Sequence, residues 1–289
     1  MRTAYGRDNN GVPGYALQVS NAGYAAVFVV QDPRGDGGSE GAATIDPFNS
    51  ENEIEDGYDA VEWCATQTWC NGRVGIFGGS GHGMCAAMAY LAKPPHLVAV
   101  RPSNTAGNTV EAWAFENRGR RWAYNWLAFR GAAVPSWPKP TVTSYDTARW
   151  QAILSNAAIN NPAVYIGDDG WWNFFHNGNF DFARALAGRC RYYLEVSPKT
   201  HGTYYGRAFP SKNKPYQLPL FFSVLAGTAA ATSSFVAYYN LGDASADLSN
   251  QWRVAPAWPP PFTPLPLYLH ADGSASFAAP TTVSGVCTY

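Results

Sequence analysis

Apolar residues fall in short runs separated by glycine-rich breaks, and these runs alternate with longer amphipathic stretches. Residues 24–31, Tyr-Ala-Ala-Val-Phe-Val-Val-Gln, predict a buried strand, ending in a glycine-rich loop over 32–41. Residues 53–68 carry Ile54, Tyr58, Val61, Trp63 and Cys64 among acids and predict a helix. Residues 74–77 predict a strand, and the small and apolar residues 84–91 predict the helix after it. Further strands are predicted at 97–100, closed by Arg101-Pro102, at 163–166, and at 191–196 as the last of the sheet, with a helix over 174–187. Such alternation predicts an α/β fold: a mostly parallel sheet with helices on both faces. Residues 108–156 hold Trp113, Trp122, Trp126, Trp137 and Trp150 around several prolines, and read as a helical insertion over the sheet. From about residue 235 the pattern shifts to short β runs and prolines, the start of a β domain. The expected divisions are 1–107 and 161–232 for the two parts of the core, 108–160 for a short helical cap, and 233–289 for a partial β domain.

One stretch organises the rest: Arg73-Val74-Gly75-Ile76-Phe77-Gly78-Gly79-Ser80-Gly81-His82-Gly83. A strand, a tight turn tipped by one serine, and a helix make the layout of a nucleophile elbow. Glycines flank Ser80 because side chains there would collide with the strand or the helix. The turn lifts the hydroxyl out of the sheet and aims the following N–H groups at the same point, so a nucleophile and half an oxyanion hole arise together. Other glycine-rich turns compete with this reading. A phosphate loop would require Gly-Lys-Ser/Thr, which is absent, and a dinucleotide fingerprint needs glycines at other offsets and a later acid. A plain structural turn is the third alternative.

Composition narrows the partners. Charged residues make up 14% of the chain and the net charge is −1, with no basic run, which argues against nucleic acid. Aromatic residues reach 15%, so many aromatic faces must line a pocket or an interface. No stretch has the apolar length of a membrane span, and the first residues show no apolar signal region. A cytoplasmic chain is favoured, with the compartment left open. The five cysteines include no Cys-x-x-Cys pair, so no structural zinc site is expected, and their odd number leaves a thiol free. Cys64 and Cys70 could pair, but their spacing does not require it.

A serine elbow needs a base, and the base needs a group to orient it. On α/β-hydrolase sheets the chain order is serine, acid, histidine, each following a strand. Of His82, His96, His176, His201 and His270, only His201 follows a late strand in a short loop, and it is the expected base. His96 sits beside two prolines and reads as structural, His176 falls in a predicted helix, and His270 lies in the β tail. His82 would ride the elbow helix and line the pocket. The acid should follow the strand at 163–166, where Asp168, Asp169 and Asn173 stand; from the residues alone one of the aspartates is the choice.

These segments together carry a resemblance. Asp32-x-Arg34-Gly35 with Ser39-Glu40-Gly41, Glu55-Asp56-Gly57-Tyr58-Asp59, Trp63 with Gln67-x-Trp69-Cys70-Asn71-Gly72, and the elbow itself are similar to the cocaine esterase and X-Pro dipeptidyl-peptidase family. Arg2-Thr3-Ala4-Tyr5-Gly6 resembles the family segment whose tyrosine hydroxyl helps form the oxyanion hole. Gly170-Trp171-Trp172-Asn173 resembles the segment that holds the triad acid, and Thr200-His201-Gly202 the segment with the triad histidine. Trp252-Arg253, Trp258-Pro259 and Leu267-Tyr268-Leu269 resemble the join to its C-terminal jelly roll. The resemblance implies an α/β-hydrolase domain, a helical cap and a β domain of which this chain holds the beginning. It also implies that the chain begins after several family strands.

Two departures bear on chemistry. The family acid falls on Asn173, an amide, and Gly81 stands where the family usually has tyrosine. Asparagine can hold an imidazole but cannot stabilise imidazolium as a carboxylate does; in a serine protease the equivalent change costs about four orders of magnitude in rate. The expectation is a serine hydrolase acting on an ester or amide of a small apolar or aromatic acyl group, without metal or organic cofactor. Ser80 would be the nucleophile, His201 the base, and Asn173, helped by Asp169, its orienter. Tyr5 and Gly81 would form the oxyanion hole, and Trp172 and Phe175 would line the acyl pocket. Partners beyond the small-molecule substrate are not expected, except a second copy in a homo-oligomer. The alternative is a catalytically impaired homologue that binds a ligand or partner.

Overall fold

The computed structural model of the chain describes residues 1–3, 5–8, 17, 20–21, 23–41, 51–105, 162–170, 178–198, 201, 217–229, 233–240, 242, 250–270 and 273–280. The expected cap over 108–160 lies outside the described residues. Two compact units are present, Met1–Trp258 and Pro259–Tyr289.

The first unit is built on helix α1 (Glu51–Ala65), strand β1 (Val74–Gly79), helix α2 (Gly81–Leu91), strands β2 (Leu97–Ser103) and β3 (Val164–Gly170), helix α3 (Gly178–Leu186), strand β4 (Tyr192–Ser197), helix α4 (Gln217–Ala226), and strands β5 (Phe235–Asn240) and β6 (Gln251–Ala255). The six strands form one sheet in chain order. Strands β1 to β5 pair in parallel, and β6 closes the edge antiparallel to β5. In the second unit, β7 (Tyr268–Leu269) and β8 (Ala275–Ser276) form a two-stranded antiparallel ladder.

Alternation along the strands explains why both faces are covered. Ile76, Tyr165, Tyr192, Leu194 and Val196 join one buried cluster with α2 and α3 residues such as Met88, Phe182 and Leu186. Their neighbours Phe77, Val164, Ile166 and Tyr193 point the other way and pack on Phe221, Phe222 and Val224 of α4. Helix α2 is apolar on all sides, and ten of its eleven residues are buried; a helix hydrophobic all round belongs in a core rather than on a surface. It lies against α1 at a glycine, because a Cβ on Gly57 would come within 2.8 Å of the Ala89 Cα and Cβ.

Several expectations change. The run at 24–31, expected as a buried strand, forms no strand and is half-buried to exposed, with Val27 60% exposed; a parallel bridge joins its last residue Gln31 to Arg2. A cavity of about 960 Å³ is lined by this run and by residues of α1, β1 and α4, among them Phe28, Val30, Trp63, Ile76 and Phe221, and Phe28 still meets the Phe77 ring edge-on, with centroids 6.2 Å apart. The strand expected to be last, 191–196, has two more beyond it. The run starting at Phe235, read as opening a separate β region, instead extends the central sheet beside β4. Strand β2 continues past Arg101-Pro102 to Ser103, because Gly78 and Gly79 of β1 keep pairing with it. The helix expected over 53–68 ends at Ala65, where the Thr66 and Gln67 side chains turn back to the Trp63 carbonyl. Cys64, Cys70, Cys85 and Cys190 are all free thiols, so Cys64 and Cys70 do not pair. Among the described residues, no helix is long and apolar enough to cross a membrane.

Candidate active site

Parallel strands end on one edge of a sheet, and ligands of open α/β sheets bind beyond the C-terminal ends. The register carries this edge across the molecule: Gly79 lies opposite Ser103, Ser103 opposite Asp168, and Gly170 opposite Ser197. Ser80 follows β1 directly, Asp168 and Asp169 close β3, and half-buried His201 stands just after β4. The edge therefore collects the sequence-predicted serine, aspartates and histidine. Side-chain positions for Asp168 and Asp169 are outside the described set, as are Trp172, Asn173 and Phe175.

The turn at Ser80 is strained. Ser80 has φ 57° and ψ −126°, a conformation that side chains rarely adopt and that costs on the order of 1–3 kcal/mol. Three close approaches hold it. Ser80 N–H donates to the Ser103 carbonyl at 2.9 Å. A Cβ on Gly78 would lie 2.3 Å from the His82 Cβ, and one on Gly83 would lie 2.9 Å from the Thr105 Cβ and 3.1 Å from the Ser103 oxygen. Only glycine lets strand, turn and helix pack this tightly. The Ser80 side chain stays half-buried.

The N-terminal segment brings Tyr5 to this turn. The Tyr5 hydroxyl lies 3.3 Å from Ser80 Oγ, and Gly81 N–H donates to the same hydroxyl oxygen at 3.3 Å. Anchoring begins at Arg2, which is buried, pairs with buried Glu53 of α1, and donates from Nε to Gln31 Oε1 at 3.0 Å. Thr3 is fully buried; its N–H donates to the Gln31 carbonyl, and its Oγ1 accepts the Tyr5 N–H at 3.1 Å. The same Oγ1 shares a hydrogen bond with His82 Nε2, and the His82 ring meets the Tyr5 ring edge-on, with centroids 4.7 Å apart. Burial pushes the His82 pKa down to about 4, with a smaller push from the Met1 ammonium, so the ring is neutral at neutral pH.

The motifs around the elbow have structural work. Asp32 organises the glycine loop: Oδ1 accepts Arg7 N–H, Oδ2 accepts Gly38 N–H, and its carbonyl accepts the Ser39 hydroxyl. Arg34 pairs with Asp56 of α1, which ties the Asp-x-Arg-Gly and Glu-Asp-Gly segments together. His96 is structural, as its position suggested, and bonds Glu62 through Nδ1 at 2.7 Å. His270 bonds Ser276 inside the small second unit. Thr3 and the Ser103 carbonyl are contributors that the sequence reading did not single out. Ser80, Tyr5 and His201 do not line the cavity beside β1.

The family profile described as X-Pro dipeptidyl-peptidase (S15 family) matches residues 1–162, more than half of the chain. The chain belongs to this family. Among curated proteins it is 29% identical over 189 residues to one of Mycobacterium bovis that is provisionally named a serine esterase, covering 61% of this chain and 27% of that protein. A Mycobacterium tuberculosis protein of the same provisional name matches equally. The chain thus spans about a quarter of the length of these curated relatives. Solved structures extend the S15 likeness to the fold. A CocE/NonD family hydrolase from Staphylococcus aureus superposes with a TM-score of 0.63 at 22% identity, covering 94% of this chain and 53% of that one. An α-amino acid ester hydrolase gives 0.62 at 23% identity, covering 89% and 52%. An aminopeptidase from a marine-sediment thaumarchaeote gives 0.65 at 17% identity, covering 96% and 57%. The sheet is that of an α/β-hydrolase.

Proposed function

We propose that this S15-family chain carries the centre of a serine hydrolase that cleaves a carboxylic ester or amide through an acyl-enzyme. The observation that carries this reading is the strained Ser80 turn with the Tyr5 hydroxyl and Gly81 N–H converging beside it. Ser80 Oγ attacks the substrate carbonyl while His201 takes its proton. The carbonyl oxygen gains negative charge and is stabilised by the Tyr5 hydroxyl and the Gly81 N–H. The tetrahedral intermediate collapses, and the alcohol or amine leaves with the proton from His201. Water then attacks the acyl-Ser80 ester, again giving its proton to His201, and the acid departs as Ser80 is restored. We assign the orienting of His201 to Asn173, helped by Asp169 near the end of β3. The aromatic side chains of Trp172 and Phe175 are assigned to the acyl side, which suits a small apolar or aromatic acyl group. The names of the relatives, which include esterases, an ester hydrolase and an aminopeptidase, fit esters and amides as the substrate class.

The direct test is Ser80→Ala, which removes one hydroxyl and leaves the turn in place. Hydrolysis of p-nitrophenyl esters should fall to background with the folded state preserved by circular dichroism. Unchanged turnover by the pure variant would remove Ser80 from the mechanism. The alternative of a binding protein with an impaired site draws on the amide at Asn173, and predicts no turnover by the parent chain either.

A further inference from the structure

We propose that Thr3 and His82 form a positioning pair that holds the Tyr5 phenol over Ser80, so that the oxyanion donor is set from beneath by a hydroxyl–imidazole contact. The inference rests on the reading of Tyr5 as an oxyanion donor. A tyrosine in this position has a difficulty. Its hydroxyl must stay within a fraction of an ångström of its place, because a misplacement of about 1 Å can cost ~100-fold in rate. Yet Tyr5 sits on a turn just past the anchored residues Arg2 and Thr3, and its own side chain is only half-buried.

Thr3 and His82 supply what the turn lacks. Thr3 is fixed at both ends: its N–H is bonded to the Gln31 carbonyl, and its hydroxyl is fully buried. That hydroxyl accepts the Tyr5 N–H, which sets the Tyr5 backbone, and also bonds His82 Nε2. A hydroxyl has one proton and two acceptor positions, so it can serve both neighbours at once. His82 in turn is fixed on the first turn of α2, two residues after Ser80, with its Cβ against the Gly78 position. The imidazole meets the Tyr5 ring at 85°, a favourable edge-to-face contact. The Tyr5 backbone and ring are therefore both referenced to the helix that carries the nucleophile. The neutral, desolvated state of His82 suits a fixed spacer and not a proton carrier. His82 has no part in proton transfer here; it is a positioning residue.

The test compares kcat and KM for a p-nitrophenyl ester in Thr3→Val, Thr3→Ser, His82→Phe, Tyr5→Phe and the double variants Thr3→Val/Tyr5→Phe and His82→Phe/Tyr5→Phe. Tyr5→Phe should lower kcat by ~100-fold with KM nearly unchanged, the scale of one lost oxyanion donor. Thr3→Val and His82→Phe should each lower kcat by ~10-fold with KM nearly unchanged, and Thr3→Ser should recover most of the loss, since it keeps the hydroxyl. In the Tyr5→Phe background the further changes should cost about nothing, because the group being positioned is gone. If the single variants act on kcat additively with Tyr5→Phe, or if Thr3→Ser is as slow as Thr3→Val, the pair is only structural and the proposal is overturned. Thermal melts separate this from misfolding, since a merely destabilised variant regains kcat per folded molecule. Should Tyr5→Phe itself keep the parent kcat, the oxyanion reading fails instead. An impaired Tyr5→Phe beside unimpaired Thr3→Val and His82→Phe rejects the positioning pair alone.

Discussion

Asn173 is the residue that most divides the chemistry. His201 must become cationic when it takes the Ser80 proton, and a carboxylate beside it favours that state more than an amide dipole does. In a partly dry pocket, low dielectric enlarges the difference. Asn173→Asp is therefore expected to raise kcat/KM for simple esters by ~10-fold or more. This lies below the ~10⁴-fold effect known for a protease triad, because under the proposed assignment Asp169 would supply part of the field and repel a second carboxylate. The companion change is Asp169→Asn, which should remove most activity, with Asn173→Asp restoring it. No gain from the first and no loss from the second, measured in the same ester assay, would mean that His201 works without an acid or is not the base.

At the scale of elements, two glycines separate stability from chemistry. Gly57 sits where α1 meets α2, far from the elbow in chain and contact, and an added methyl would press on Ala89 backbone at 2.8 Å. Gly57→Ala should lower stability by about 1–2 kcal/mol, overpacking of ~1–3 kcal/mol being partly offset by the better helix propensity of alanine. A denaturant midpoint shift with kcat retained is the expected result. Gly78→Ala puts a methyl 2.3 Å from the His82 Cβ and 2.7 Å from its backbone, inside the elbow. It should lose most ester hydrolysis, even in the fraction that stays folded. Equal effects of the two changes on kcat would contradict this division. The elements themselves were legible in uneven measure. Strand, elbow and helix around Ser80 could be read because their signal is local: an apolar run, glycines at fixed offsets, then small helix formers. The 24–31 run misled on both counts, since it is half-buried to exposed as well as unpaired; strand formation depends on a paired neighbour far along the chain, which local apolar composition does not report. The Phe235 run was assigned away from the sheet for the same reason. Its change of composition is local, but its parallel pairing with Tyr193 to Val196 is not. Thr3 stayed invisible because its partner His82 is 79 positions away and no motif links them.

For the whole molecule, the parallel register explains why residues scattered from Tyr5 to His201 can share one edge. Strands β1 to β4 end there together, and the buried Arg2–Glu53 pair ties the N-terminal segment to α1 beneath it. Removing one member of such a pair strands a buried charge, so this anchor is part of the site's support. The second unit, from Pro259, contributes a short ladder of its own. The central claim is that this edge activates Ser80 as a nucleophile. Incubation of the full chain with a fluorophosphonate probe, followed by peptide mapping by mass spectrometry, tests it most directly. The account predicts one covalent adduct, on Ser80, that forms in the native chain, is lost after heat denaturation and is absent from Ser80→Ala. A folded chain that takes up no probe, or carries it on another residue, would contradict the claim.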